Sequence, residues 1–178
     1  MKKGDILYGE YPFIVRFILT LIIFKVLRDK NSPLIIPVIF LLILDYFDFP
    51  CPAISNRIDT KGTFYIYRAD INYQLRDKVL DLFAYYYLIF LYKNIFDTKT
   101  MFVLQILLIW RTIGVLIFLK IKSNKDIWLF FDGINAVLIL YSLKRYSSFL
   151  EKNYDVLLWF AIIFKIFYEP IHHNKSYV

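Results

Sequence analysis

Long apolar segments constrain the fold of this chain more than any other feature of its sequence. There are six, and the longer ones reach the roughly 17 to 25 mostly apolar residues with which a helix crosses a bilayer. They cover residues 12–27, 33–47, 79–96, 101–121, 127–141 and 156–167. A chain of 178 residues that is 59% hydrophobic does not have the composition of a soluble domain. We therefore predict an all-α membrane protein, in which residues 1–178 form one domain of six transmembrane helices.

The charges of the connecting segments predict the orientation in the membrane. Six spans place both termini on one side, together with the connections that follow the second and fourth spans. These segments carry slightly more Lys and Arg than those on the other side, and such segments stay in the cytoplasm. The first span lacks a small-residue cleavage site, so we expect it to remain in the mature protein. The expected protein is multi-pass, with cytoplasmic termini.

The formal net charge of +7 is spread over all connections. Distributed positive charge beside a membrane favours anionic lipid headgroups or phosphorylated substrates as partners, and it argues against nucleic acid. The single cysteine, Cys51, excludes an intrachain disulfide and a pair of metal-binding thiols.

Two pairs of aspartates flank the longest polar connection, residues 49–76. Asp45 and Asp48 end the second span in "LLILDYFDFP", and Asp77 and Asp81 open the third in "DKVLDLF". Spacings of three and four residues put the members of each pair on one helix face. The macrodipole disfavours carboxylates at a helix C-terminus, so Asp45 and Asp48 should have a compensating partner.

The four acids can converge, because the second span ends on the side of the membrane where the third begins. Carboxylates this close repel one another unless cations lie among them. Oxygen ligands suit Mg²⁺ or Mn²⁺, and a two-metal site could clamp a phosphoryl group. In the alternative interpretation, Asp77 is an ordinary acid at a helix N-terminus, Asp48 is a loop residue, and Asp45 pairs with a lysine.

This arrangement of acids across the second and third of six helices resembles the CDP-alcohol phosphatidyltransferases. The pattern of that family is D-x-x-D-G-x-x-A-R, eight residues, then G-x-x-x-D-x-x-x-D. The resemblance implies transfer of a phosphatidyl or substituted phosphoryl group from a CDP-linked lipid donor to a small alcohol, with release of CMP. It also implies a homodimer and two bound Mg²⁺ or Mn²⁺ ions. The implied metal ligands are Asp45, Asp48, Asp77 and Asp81, with Asp81 also the catalytic base, so that Asp81→Asn should abolish transfer while sparing folding.

The resemblance also implies three phosphate-binding basic residues, of which two match positions of the family and the third lies near one. Arg111 and Lys120 lie in "WRTIGVLIFLK" of the fourth span, and Arg57 lies near the position of the missing A-R pair. The chain departs from the pattern at both glycines, which are replaced by Phe49 and Tyr73, and the gap between the acid pairs is roughly ten residues longer. In an alternative register, Asp77 is the final acid and Tyr73 replaces the third.

Two further alternatives stay open at the level of sequence. Arg111 lies near the middle of an apolar span and should face the bundle interior, where it binds phosphate or pairs with Asp132. The protein as a whole could instead be a non-enzymatic scaffold, channel or cation-binding protein, in which the acids form a cation ring.

Overall fold

The structure is a computed structural model that describes the backbone of residues 4–47, 71–121 and 133–176, and the side chains of residues 13–43, 75–120 and 133–167. Every regular element within these ranges is helical, which confirms the all-α prediction. The elements are α1 (Gly4–Asp29), α2 (Ile35–Phe47), α3 (Ile71–Tyr92), α4 (Thr98–Ile121), α5 (Gly133–Leu143), a 3-10 helix (Lys144–Tyr146), α6 (Ser148–Lys152) and α7 (Tyr154–Ser176).

Each predicted span corresponds to a helix, although several boundaries differ. Differences of eight or nine residues occur at the start of α1, at the end of α7 and at the start of α3, where the helices extend beyond the predicted spans. The helix α3 begins at Ile71 rather than near residue 79. The prediction was wrong there because an apolar run marks the length of a span, whereas Gln, Leu, Arg and Lys continue a helix beyond it. The polar connection predicted for residues 49–76 therefore ends before Ile71. The 3-10 helix and α6, which are short and polar, were not predicted.

Within the described residues, one helix meets the requirements of length and apolarity for crossing a bilayer. It is the segment Thr98–Lys120 of α4, with 23 residues. This finding suggests association with a membrane. The described lengths of α2 and α5 are 13 and 11 residues, shorter than a perpendicular crossing of the hydrocarbon core requires.

The helices α1 and α3 lie side by side and run in the same direction. Three pairs of residues show this, since both members advance together along their helices. They are Phe17 with Phe83, whose ring centroids are 4.6 Å apart, Phe24 with Tyr87 at 6.4 Å, and Arg28, whose Cζ lies 5.5 Å from the Tyr92 ring centroid. The chain runs back from the end of α1 to the start of α3 through α2. This reversal begins at Asn31, whose φ is 52°, a left-handed conformation that asparagine tolerates.

The antiparallel helix α4 packs against α3 after a short turn, and its Thr112 Oγ1 lies 3.0 Å from the Tyr86 hydroxyl. The buried side chains of all the long helices form one continuous core, in which Leu41, Tyr85, Leu104 and Leu158 are among the largest fully enclosed residues.

A polar cluster closes the end of the bundle at which α3 ends and α4 begins. Lys144 Nζ lies 2.7 Å from Asp97 Oδ2 and 4.1 Å from the centroid of the Tyr141 ring. The backbone N–H of Thr100 donates to Asp97 Oδ1 at 2.8 Å, and the Tyr141 hydroxyl donates to Ile95 O at 2.7 Å. These contacts tie the α3–α4 turn to the end of α5.

We expect this cluster to give the protein a small acid-sensitive contribution to stability. Burial raises the pKa of Asp97, but hydrogen bonds from Lys144 and Thr100 outweigh it and hold the pKa below the ordinary value of 3.8. A carboxylate with a lowered pKa stabilises the fold above its ordinary pKa, and that contribution is lost as the pH falls through the lowered value. At neutral pH Asp97→Asn should therefore lower the free energy of unfolding by less than about 1 kcal/mol, since solvent screens an exposed pair.

The measurement is thermal unfolding of the wild type and Asp97→Asn from neutral pH to about pH 3. Glu151→Gln, at an exposed acid of α6, is the control. A difference between wild type and Asp97→Asn that persists undiminished in acid would contradict the assignment.

Candidate functional site

Among the side chains of α1 that the structure describes, from Phe13 onward, one buried side chain is charged. Phe13, Arg16, Thr20 and Phe24 are buried, and their spacing of three or four residues makes them one stripe along the helix. The Thr20 hydroxyl donates to the backbone carbonyl of Arg16 at 2.8 Å. Arg16 is thus carried into the interior by the same periodicity that buries its apolar neighbours.

On the adjacent helix, two aspartates meet this arginine. Arg16 Nη1 lies 2.9 Å from Asp77 Oδ1, and Arg16 Nη2 forms a short ion pair with Asp81 Oδ1. The two carboxylates are one turn apart on α3, which lets the planar guanidinium fork reach both of them. The side chain of Arg16 is 5% exposed, that of Asp81 10% and that of Asp77 27%.

A second arginine approaches from α4. Arg111 Nη2 is 4.0 Å from Asp81 Oδ2, and the Arg111 side chain is also buried. Asp81 therefore lies between two guanidinium groups that come from different helices. We call Arg16, Asp77, Asp81 and Arg111 the charged cluster.

The structure brings together three of the residues selected from the sequence: Asp77, Asp81 and Arg111. The interpretation of Asp77 as an ordinary N-terminal acid is wrong, because α3 begins at Ile71 and has no acid in its first turn. Arg111 faces the interior as expected. Arg111 forms an ion pair with Asp81, and Asp132, the partner considered from the sequence, lies outside the described residues.

The remaining predicted site residues are not in the charged cluster as described. Asp45 lies in the last turn of α2, but its side chain is outside the described part of the structure, as are Asp48 and Arg57 entirely. Lys120 is in the last turn of α4 and is exposed. It follows Arg111 by nine residues, which places the two on opposite helix faces about 13 Å apart along the axis.

Asp77 and Asp81 are the predicted metal ligands whose side chains the structure describes. They already surround a cation, the guanidinium of Arg16, so their arrangement suits a positive charge, and their oxygen atoms suit Mg²⁺ or Mn²⁺. Within the described ranges, no three Asp, Glu, His or Cys side chains come together in a way that could hold a metal. Asp45 and Asp48, the other two predicted metal ligands, have side chains outside the described residues.

Comparison of the chain with protein-family models, with curated proteins and with solved structures gave no match. The resemblance to the CDP-alcohol phosphatidyltransferases therefore rests on the spacing of acids and arginines along the sequence.

Arg16 is the member of the cluster that the sequence analysis missed. The signal was present, since "FIVRFIL" contains a single charge within an apolar span, and such a charge needs a partner in the interior. Its partners could not be named from the sequence because Asp77 and Asp81 follow it by 61 and 65 residues.

Proposed function

We propose that this protein is a multi-pass membrane protein that transfers a phosphatidyl or related phosphoryl group from a CDP-linked lipid to an alcohol. The observation that carries the proposal is the buried contact of Asp81 with Arg111. Asp81 and Arg111 were selected from separate segments of the sequence, each by its match to the same family. Their side chains meet inside the helical bundle.

The distribution of side chains supports the membrane location. Large apolar residues of α1, α4 and α7 are exposed on the outside of the bundle, around an interior that is itself an apolar core with a few buried polar side chains. Water disfavours such extensive exposed apolar surface, whereas lipid does not. Examples of the exposed residues are Ile14, Ile18, Ile22, Phe102, Ile106, Ile109, Leu116, Val156, Phe160, Phe164 and Phe167.

The charges within α1 and α3 are compatible with several crossings. Arg16 in α1 pairs with Asp77 and Asp81 in α3. Paired charges that face the bundle interior are the form in which ionised side chains occur within membranes. We therefore propose that α1, α3 and α4 are three of six crossings, with the termini and the acids on the cytoplasmic side.

In the proposed reaction, Asp81 accepts the proton of the acceptor hydroxyl, and Arg111 binds a phosphate oxygen of the donor. Two flanking guanidinium groups fix the direction of the Asp81 carboxylate. Asp45, Asp48, Asp77 and Asp81 would hold Mg²⁺ or Mn²⁺, which when bound supplies charge stabilisation to a transferring phosphoryl group. Lys120 and Arg57 are proposed as further contacts for substrate phosphates.

The test is CMP release by the detergent-purified protein, supplied with CDP-diacylglycerol, Mg²⁺ or Mn²⁺ and a panel of small alcohols. We expect release by the wild type and by Asp97→Asn, whose substituted acid lies at the other end of α3. We expect a loss of at least about 100-fold in Asp81→Asn, measured per folded molecule, which is the scale on which a general base contributes. Absence of release from folded wild-type protein with every alcohol would overturn the proposal.

One observation favours a second candidate, a non-enzymatic membrane protein. Arg16 contacts both Asp77 and Asp81, which is what an ion pair that holds α1 against α3 requires. A folded protein that releases no CMP, but loses its assembly or its ion conductance when Arg16 is replaced, would support this candidate.

A further inference from the structure

The guanidinium of Arg16 occupies the place between two carboxylates that a bound cation would take. One nitrogen contacts Asp77 and the other contacts Asp81, so one guanidinium bridges both acids. The arginine belongs to α1, whereas the acids belong to α3, and all three side chains lie within the bundle.

A divalent ion bound to the same two carboxylates would lie within a few ångströms of this guanidinium. Two positive groups that close repel strongly when little water screens them, and Arg111 adds another positive charge beside Asp81. The carboxylate pair therefore cannot bind Arg16 and a divalent ion equally tightly at the same time.

We propose that Arg16 is the resident counterion of the Asp77–Asp81 pair and competes with divalent cations for it. The inference rests on the proposed function for the metal requirement, but it concerns a residue to which that function assigns no role. Asp77 is the more exposed of the two acids, so the Arg16 contact with Asp77 is the one that a divalent ion would displace first. Loading of the site then requires Arg16 to withdraw from at least one carboxylate.

Binding of Mn²⁺ tests this competition without reference to turnover. Free Mn²⁺ is measured by electron paramagnetic resonance with the full-length protein in detergent. We expect Arg16→Gln to bind Mn²⁺ roughly tenfold or more tightly than the wild type, because the competing charge is removed. Lys25→Gln, which removes an exposed positive charge from the same helix, is the matched control and should bind as the wild type does.

Two further variants keep the test decisive. Arg16→Lys keeps the charge but lacks the fork that reaches both acids, so its affinity should fall between those of the wild type and Arg16→Gln. Arg16→Gln combined with Asp77→Asn should lose the gained affinity, which locates the gain at the carboxylate pair. If Arg16→Gln does not fold, an Arg16→Lys variant no tighter than the wild type overturns the proposal.

Equal or weaker Mn²⁺ affinity in Arg16→Gln also overturns it, whatever the CMP assay gives. A gain in affinity without CMP release from any variant would support the role of Arg16 and contradict the transferase. CMP release together with a Mn²⁺ affinity that does not depend on Arg16 would support the transferase and contradict the role of Arg16.

Discussion

Replacing Asp81 with leucine is expected to lower the free energy of unfolding by about 3 kcal/mol or more, because it leaves two buried guanidinium groups without their shared carboxylate. Arg16 and Arg111 both contact Asp81, and neither side chain is open to water. Asp81→Asn should show a similar loss, since an amide keeps the shape but not the charge. The measurement is unfolding of the purified protein by a denaturing detergent.

This result would revise the expectation from sequence that Asp81→Asn spares folding. A double-mutant cycle separates the ion pair from the packing of the two side chains. Arg16→Met combined with Asp81→Leu should recover part of the stability lost in Asp81→Leu, because both charges of the Arg16–Asp81 pair are then absent. A cycle without coupling between the two positions would show that the described contact does not contribute to the fold.

Placing an arginine on the outer face of α4 is expected to have an effect of similar size. Ile109 lies near the middle of the helix and is 57% exposed. If that face contacts lipid, Ile109→Arg should cost about 2.5 to 3.5 kcal/mol in membrane insertion. In a water-soluble protein, the same change at an exposed position would alter stability by less than about 0.5 kcal/mol.

Insertion is measured with a glycosylation reporter on the full chain, and stability is measured in parallel on purified protein. Ile109→Leu is the control for packing. Glu151→Arg is the control for charge, because Glu151 is an exposed polar residue of the short helix α6. An Ile109→Arg variant that inserts as efficiently as both controls would contradict the proposed lipid contact.

Helix positions followed from the sequence because apolar runs record which segments are kept from water. The start of α4 differs from prediction by only a few residues, since Asp97 and Thr98 interrupt the apolar pattern there. The start of α3 was misplaced because residues 71–78 are polar but continue the helix. Hydropathy identifies the apolar part of such a helix, not its full length.

The charged cluster was predictable only in part. The spacing of Asp77 and Asp81 placed both on one face of α3, and the central position of Arg111 in an apolar span placed it inside the bundle. The pairing with Arg16 depends on α1 and α3 running side by side in parallel, with α2 as the return. That arrangement is a property of the packed helices and not of any local sequence pattern.

The parallel pairing of α1 with α3 also has a consequence for biosynthesis. Arg16 is translated 61 residues before Asp77, so the first helix leaves the ribosome before Asp77 and Asp81 have been made. In a bilayer, a lone arginine at the centre of a helix disfavours insertion by about 2.5 to 3.5 kcal/mol. If α1 and α3 cross the bilayer as proposed, the first helix should settle fully only when α3 brings Asp77 and Asp81 to Arg16.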